Sequence, residues 1–272
     1  MGMRLEESDF FTFRDPLQER QSISSLGFIL TFSIFLNAVL FLLTYVVVYD
    51  YSIFPNKEKI FRIHLYVTII LSFLSLIFGL PIVYKRFERI QYFLSIIVSQ
   101  NIFGAFPLII ALFAIGRVQG IEQPNLLTIT ALALSGGGLV FVVTTIRLFI
   151  LLNRGEYRAD SRNDITRKKW EDIIRGKSTI IIALSVGASF IIQYLFRFIP
   201  LRDFDIILIG TLCIIIFMTM LFVLPEQLVI LYCKFRFESF NHNRKGNLKP
   251  FGYKPQREKK KKQYSIKPKK LF

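Results

Sequence analysis

Uncharged polar residues lie inside several long apolar stretches of this 272-residue chain, and they are the side chains best placed to do chemistry there. Asn37, Gln100 and Asn101 fall near the middle of two such stretches, and Ser135 falls near the middle of a third. Polar groups in hydrocarbon are costly, so they tend to mark binding sites or contacts between helices. The sequence predicts a neutral polar layer, which either binds a neutral or lipid-like substrate or joins helices by hydrogen bonds.

Glycine and proline accompany this layer. Three glycines follow Ser135, and each costs about 1 kcal/mol relative to alanine inside a helix. Pro107 removes a backbone donor from the stretch that contains Asn101. We expect two broken helices at this level, with close packing at the glycines as the alternative. The predicted substrate path consists of Asn37, Gln100, Asn101, Pro107, Ser135, Gly136, Gly137 and Gly138.

Charged residues offer little further chemistry. Arg147 is near enough to the end of its apolar stretch to reach the interface, and Glu226 falls at the interface itself. His64 begins the second stretch and His242 lies in the C-terminal tail, so neither is expected to form a metal site. Nucleophile-elbow, zinc-protease and phosphate-loop motifs are missing from the sequence. We expect a protein that is not an enzyme and has no cofactor.

The elements that must position these residues are six apolar stretches. They cover residues 24–48, 63–84, 92–115, 126–152, 179–199 and 206–233, and each can cross a hydrocarbon core of about 30 Å. Most of the 35 lysines and arginines lie in the N-terminal arm, the second and fourth loops and the tail. The other loops carry only Lys57, Lys59, Arg62, Arg117, Arg197 and Arg202. By the positive-inside rule both termini are cytoplasmic.

The predicted fold is therefore an all-α membrane protein, a six-transmembrane-helix bundle with both termini inside. Residues 1–23 form a cytoplasmic arm, residues 24–239 form the membrane domain and residues 240–272 form a tail. We expect the protein in a bacterial cytoplasmic membrane. The closing Lys269 and Lys270 resemble a di-lysine retrieval signal and keep the endoplasmic reticulum as an alternative.

The fourth loop predicts a cytoplasmic amphipathic helix. A capping-box spacing begins at Ser161, and Gly176 would end the helix. Its basic residues surround an apolar face that includes the single tryptophan, a pattern typical of helices on an anionic membrane surface. Docking of a soluble protein partner needs the same residues and stays open as the alternative. The residues proposed for docking here are Arg167, Lys168, Lys169 and Trp170.

The C-terminal tail is rich in lysine and arginine and poor in apolar residues, so it predicts disorder. Its lysine run consists of Lys259, Lys260, Lys261 and Lys262. At about 1 kcal/mol for each basic residue near anionic lipid, such a run would hold the tail to the membrane. Interleaved aromatic residues also suit contact with nucleic acid or the ribosome, a weaker alternative.

Two functions remain open from the sequence. The first is a non-enzymatic membrane subunit of a transport, secretion or envelope assembly, which docks cytoplasmic partners or anionic lipid through the fourth loop and the tail. The second is a self-sufficient carrier or channel that uses the polar layer for a neutral or lipid-like substrate.

Overall fold

The computed structural model describes residues 5–118, 120–161, 165–166, 204–243 and 245–253, and these residues are all-helical in architecture. A 3₁₀ helix at Glu7–Arg14 precedes the first α-helix, and another at Glu238–Phe240 follows the last. The α-helices are α1 (Asp15–Gln18), α2 (Ile23–Leu42), α3 (Lys57–Gly79), α4 (Pro81–Tyr84), α5 (Glu88–Gln100), α6 (Phe106–Ile115), α7 (Gln123–Asn153) and α8 (Phe204–Arg236). Leu43–Val48 extends α2 as a π-helix, and the π-helix Asn101–Ala105 joins α5 to α6.

Five of these helical segments are long and apolar enough to cross a membrane. They are Ile23–Val48, Lys57–Gly79, Glu88–Ile115, Gln123–Asn153 and Leu208–Arg236, and they agree with five of the predicted stretches. Such helices are typical of a membrane-embedded protein. The predicted span at 179–199 and nearly all of the predicted helix in the fourth loop lie outside the described residues, so the count of six and the sidedness stay predictions.

The α5–α6 rod lies at the centre of the described bundle. In its most apolar window 61 % of the residues are buried inside the protein, against 17–28 % in the other four candidate spans. Large side chains on the outer helices face away from the protein: Phe28, Tyr66 and Leu139 are 72 %, 66 % and 65 % exposed. An apolar surface this extensive is suited to lipid rather than to water.

The segments outside the spans gather at the two ends of the bundle. At one end, Phe10 and Phe13 pack with Tyr92, Leu152 and Phe240 in a buried cluster. We call this end the inner cap and define it as residues 5–18, 84–89, 154–161, 237–243 and 245–253. A second buried cluster, which includes Tyr45, Phe54, Phe113 and Leu126, closes the opposite end. Both described ends of the chain therefore lie in the inner cap.

Two further details concern this end. The short helix α1 ends at Gln18, and α2 starts separately, with the side chain of Ser22 accepting a hydrogen bond from the backbone of Ser25 at 3.3 Å. The disorder expected from residue 240 is wrong for the described part of the tail, because Phe240 is fully buried and His242 pairs with Leu248 across an isolated bridge. The composition of the tail gives its charge, but it does not reveal which buried residues pack against the first part of the tail.

Candidate functional site

Four buried side chains form a hydrogen-bonded chain between α2, α3 and the π-helix after α5. The Tyr45 hydroxyl lies 2.8 Å from Nδ1 of His64, and Nε2 of His64 lies 3.2 Å from Oδ1 of Asn101. Nδ2 of Asn101 donates to Oδ1 of Asn37 at 3.1 Å. We call Tyr45, His64, Asn101 and Asn37 the mid-span network. It joins two of the four predicted polar residues, Asn37 and Asn101, and adds Tyr45 and His64, which were not predicted.

The direction of these hydrogen bonds follows from the amides. Because Oδ1 of Asn101 can only accept, Nε2 of His64 must donate to it, and a neutral imidazole then accepts from Tyr45 at Nδ1. All three hydrogen bonds can thus form between uncharged side chains. The Nδ2 of Asn37 is buried and has no hydrogen-bond partner among the described residues. The network therefore holds three segments together and ends in one unused donor.

His64 joins the network although it lies at the start of the second predicted apolar stretch. The helix α3 begins earlier, at Lys57, so His64 lies two turns inside the helix and its side chain is buried in the protein. The periodicity of the sequence could have identified this position. The buried residues of α3 recur every three to four positions and so share one face of the helix: His64, Thr68, Leu71 and Ser75.

Gln100 does not join the network. Its Nε2 donates to the backbone carbonyl of Met220 on α8 at 3.4 Å, so it links the central rod to the last helix. The π-helix at Asn101–Ala105 leads directly into α6, where Pro107 occupies the first turn. The expected break at Pro107 is wrong: a π-helix and a helix start can both accommodate the missing donor, so the rod continues.

The glycine run in α7 is a packing contact. A Cβ on Gly137 would lie 2.5 Å from Cδ1 of Leu221 and 2.9 Å from a ring carbon of Phe217, so α8 approaches this position closely. Gly138 has open space beside it. Ser135 is exposed on the outside of α7 and, among the described residues, donates a hydrogen bond to the carbonyl of Leu132 in its own helix.

The expected break of the fourth span at the glycines is therefore wrong. α7 runs without interruption from Gln123 to Asn153, because the close packing of α8 compensates for the poor helix propensity of the glycines. Ser135 also lies outside the mid-span network, whose members belong to α2, its π-helical extension, α3 and the π-helix after α5.

The inner cap contains a buried charge cluster that sequence reasoning missed. Glu88, at the start of α5, accepts hydrogen bonds from Nζ of Lys234 and from Nδ1 of His242, the latter at 2.6 Å. Its second oxygen accepts from the backbone N–H of His242 at 2.8 Å. The Lys234 side chain is fully buried, and its Nζ also donates to the carbonyl of Phe240 at 3.1 Å. One carboxylate thus fastens α5, α8 and the segment after α8.

His242 contacts acceptors on both sides. Nδ1 faces the Glu88 carboxylate, and Nε2 lies 3.1 Å from the backbone carbonyl of Leu17. Neither partner can donate, so an imidazolium that donates from both nitrogens satisfies the geometry. His242 therefore links the N-terminal arm to the same cluster. Within the described residues no group of three or more His, Cys, Asp or Glu side chains is arranged to hold a metal ion.

The N-terminal arm connects the fourth loop to the tail. Oδ1 of Asp9 accepts from Nε of Arg158 at 2.7 Å, and the backbone N–H of Thr12 donates to the carbonyl of Tyr157 at 3.1 Å. On its other side, Nη2 of Arg14 donates to the carbonyl of Lys249 at 2.6 Å. The start of the fourth loop and the start of the tail are thus bound to one short 3₁₀ helix.

A more exposed ion-pair group strengthens the tail side. Glu238 accepts from Nη2 of Arg89 and from Nζ of Lys249, each at 2.5 Å. The hydrogen bond from Lys249, more than any other influence, lowers the pKa of Glu238 below its usual value. This pairing holds residues 245–253 against the rest of the inner cap.

The residues predicted to dock lipid or a partner are Arg167, Lys168, Lys169, Trp170, Lys259, Lys260, Lys261 and Lys262, and they lie outside the described residues. No family model matches the chain, and neither a known protein nor a solved structure matches it. The function is therefore argued from the chemistry of this chain alone.

Proposed function

We propose that the chain is a non-enzymatic integral membrane subunit whose inner cap presents two basic segments to a protein partner in a larger membrane assembly. The observation that carries this proposal is that the 3₁₀ helix Glu7–Arg14 contacts both the fourth loop and the tail. Asp9 holds Arg158, where the fourth loop begins, and Arg14 holds Lys249, where the tail begins. The two most basic segments of the sequence therefore leave the protein from one surface.

This arrangement has a physical advantage for docking. Two basic segments that begin at fixed, neighbouring points act at a high effective concentration toward one partner, so their individual weak contacts reinforce each other. The formal net charge of +16 favours an acidic protein surface, and anionic lipid beside the cap would share the same basic residues. A bacterial cytoplasmic membrane, with the inner cap in the cytoplasm, is the location that we propose.

The alternative, a carrier that uses the polar layer, receives less support. Asn37 and Asn101 hydrogen-bond to each other, and Gln100 hydrogen-bonds to a backbone carbonyl. Side chains of α8 occupy the space beside Gly137. The unused donor of Asn37 is the one feature that favours a bound neutral acceptor at this level.

The proposal can be tested by native electrophoresis of membranes in mild detergent. The 31.7 kDa chain should migrate in a complex with a distinct protein subunit, identified by mass spectrometry. Replacing Lys259, Lys260, Lys261 and Lys262 by glutamine should reduce that complex. The matched change of the exposed Lys59 and Arg62 to glutamine, at the opposite end, should leave it intact. A chain that migrates without another protein in all three forms would contradict the subunit function.

A further inference from the structure

A cavity of about 750 Å³ lies between the N-terminal arm and the inner parts of α7 and α8. Its deepest cation, Arg147, is six residues before the end of α7, about 9 Å along the helix axis. That depth corresponds to the region where lipid headgroups meet acyl chains.

The walls of the cavity divide by chemistry. Leu148, Leu151, Phe222, Val223 and Ile230 make an apolar side. Among the described lining residues, Arg20 and Arg147 supply guanidinium groups and Glu156 and Glu226 supply carboxylates, of which the Glu226 side chain already interacts with another group. A purely anionic ligand would meet the carboxylates, and a purely cationic ligand would meet the arginines. The charge pattern fits a ligand that carries both signs and an apolar tail.

An unsatisfied acceptor sharpens this assignment. Oε1 of Gln227, on the cavity wall, is buried and has no hydrogen-bond partner among the described residues. A buried acceptor without a donor is destabilising, so the position favours a ligand that brings an N–H or O–H donor. An ammonium headgroup can donate to this oxygen and to a carboxylate, while guanidinium groups bind phosphate in bidentate fashion.

We propose that this cavity binds one phospholipid with a primary-amine headgroup, of the phosphatidylethanolamine class. Arg147 and Arg20 contact the phosphate, Gln227 Oε1 accepts from the ammonium, and the acyl chains follow the apolar wall toward the bilayer. The proposed lipid contacts Arg20, Arg147 and Gln227 lie outside the inner cap, so this proposal and the proposed docking function can fail independently. Phosphatidylcholine has the same net charge, but its quaternary nitrogen has no N–H to donate.

Native mass spectrometry of the full chain in detergent tests the assignment with three lipids that share the same acyl chains. We expect one phosphatidylethanolamine adduct that survives activation energies at which phosphatidylcholine and phosphatidylglycerol adducts dissociate. Glycerophosphoethanolamine, the headgroup without acyl chains, should not displace it. Equal retention of the three lipids would overturn the proposal, and so would displacement by the soluble headgroup, which would indicate a site for a free phosphate compound.

Variants locate the site on the protein. Arg147→Gln and Gln227→Leu should each weaken the adduct about tenfold or more, the effect of losing one hydrogen bond to a charged group. Arg154→Gln removes the same charge from the exposed end of α7, outside the cavity, and should retain the wild-type adduct. An equal loss for Arg147→Gln and Arg154→Gln would show general electrostatic attraction and refute the site. Because the lipid comparison uses the wild-type chain, it decides the question even if a variant is unstable.

Discussion

Replacing Glu88 by glutamine should release the C-terminal part of the inner cap while the membrane helices persist. The carboxylate is the shared acceptor for Lys234 and His242. Glutamine has a similar size but no charge, so Lys234, which is fully buried, would keep an uncompensated ammonium group. Breaking one partner of a buried ion pair typically costs about 3–5 kcal/mol.

This loss falls on the segment after α8 because its attachments converge on Glu88. The backbone and side chain of His242 both bind the carboxylate, and Lys234 reaches the carbonyl of Phe240 from the same point. We therefore expect amide protection of residues 237–243 to fall about 100-fold or more in hydrogen exchange, limited by the stability of the segment itself. Protection in the centre of α5 should change much less.

The neighbouring Arg89→Gln variant is the matched control. Its ion pair with Glu238 is about one-third exposed on both sides, and pairs of this kind contribute about 0–1 kcal/mol. Its effect on exchange should therefore be less than about tenfold. If Glu88→Gln and Arg89→Gln gave equal and small effects, the buried cluster would not hold the cap together.

Three further predictions concern the membrane helices and the pH dependence of the cap. Gly137→Leu should destabilise the protein by about 1–3 kcal/mol in thermal unfolding, since α8 occupies the space, whereas Gly138→Leu, with open space, should be close to neutral. Asn101→Ala should cost about 1–3 kcal/mol because it removes two buried hydrogen bonds, whereas the exposed Ser135→Ala should stay within about 0.5 kcal/mol of the wild type. The lowered pKa of Glu238 means that its ion pairs stabilise the folded cap above the ordinary glutamate pKa of about 4.3 and lose that effect as pH falls through the lower folded value. In the wild type, residues 237–253 should thus resist proteolysis more than in the Glu238→Gln variant at pH 7, and the two proteins should become equally sensitive in acid. A difference that stays constant across this pH range would contradict the assignment.

The spans were predictable because long apolar runs have one dominant solution in lipid. Each described span begins and ends within a few residues of its predicted stretch, except α3, where charged residues at its start hid one and a half turns of helix. Because His64 lies at the edge of the predicted stretch, the sequence did not assign it to the polar layer. Hydropathy finds the apolar core of a span, whereas helices extend past it into the interface.

The contacts between distant segments were not predictable in the same way. Glu88 and His242 are 154 residues apart, and no local pattern links a glutamate at a helix start to a histidine in a basic tail. The glycines at 136–138 show the same limit, since small residues permit either close packing or a break. The position of Leu221 and Phe217 on the facing helix decided between them.

Photo-crosslinking at Tyr253 tests the docking function of the inner cap most directly. This residue ends the described part of the cap and is 42 % exposed, so a photoreactive phenylalanine derivative can replace it in intact cells. The proposal predicts an adduct with the protein subunit found in the native complex, and only lipid adducts at Ile82, which is 87 % exposed on the short helix α4. Lipid adducts alone at both positions would contradict the proposal that the inner cap docks a protein partner.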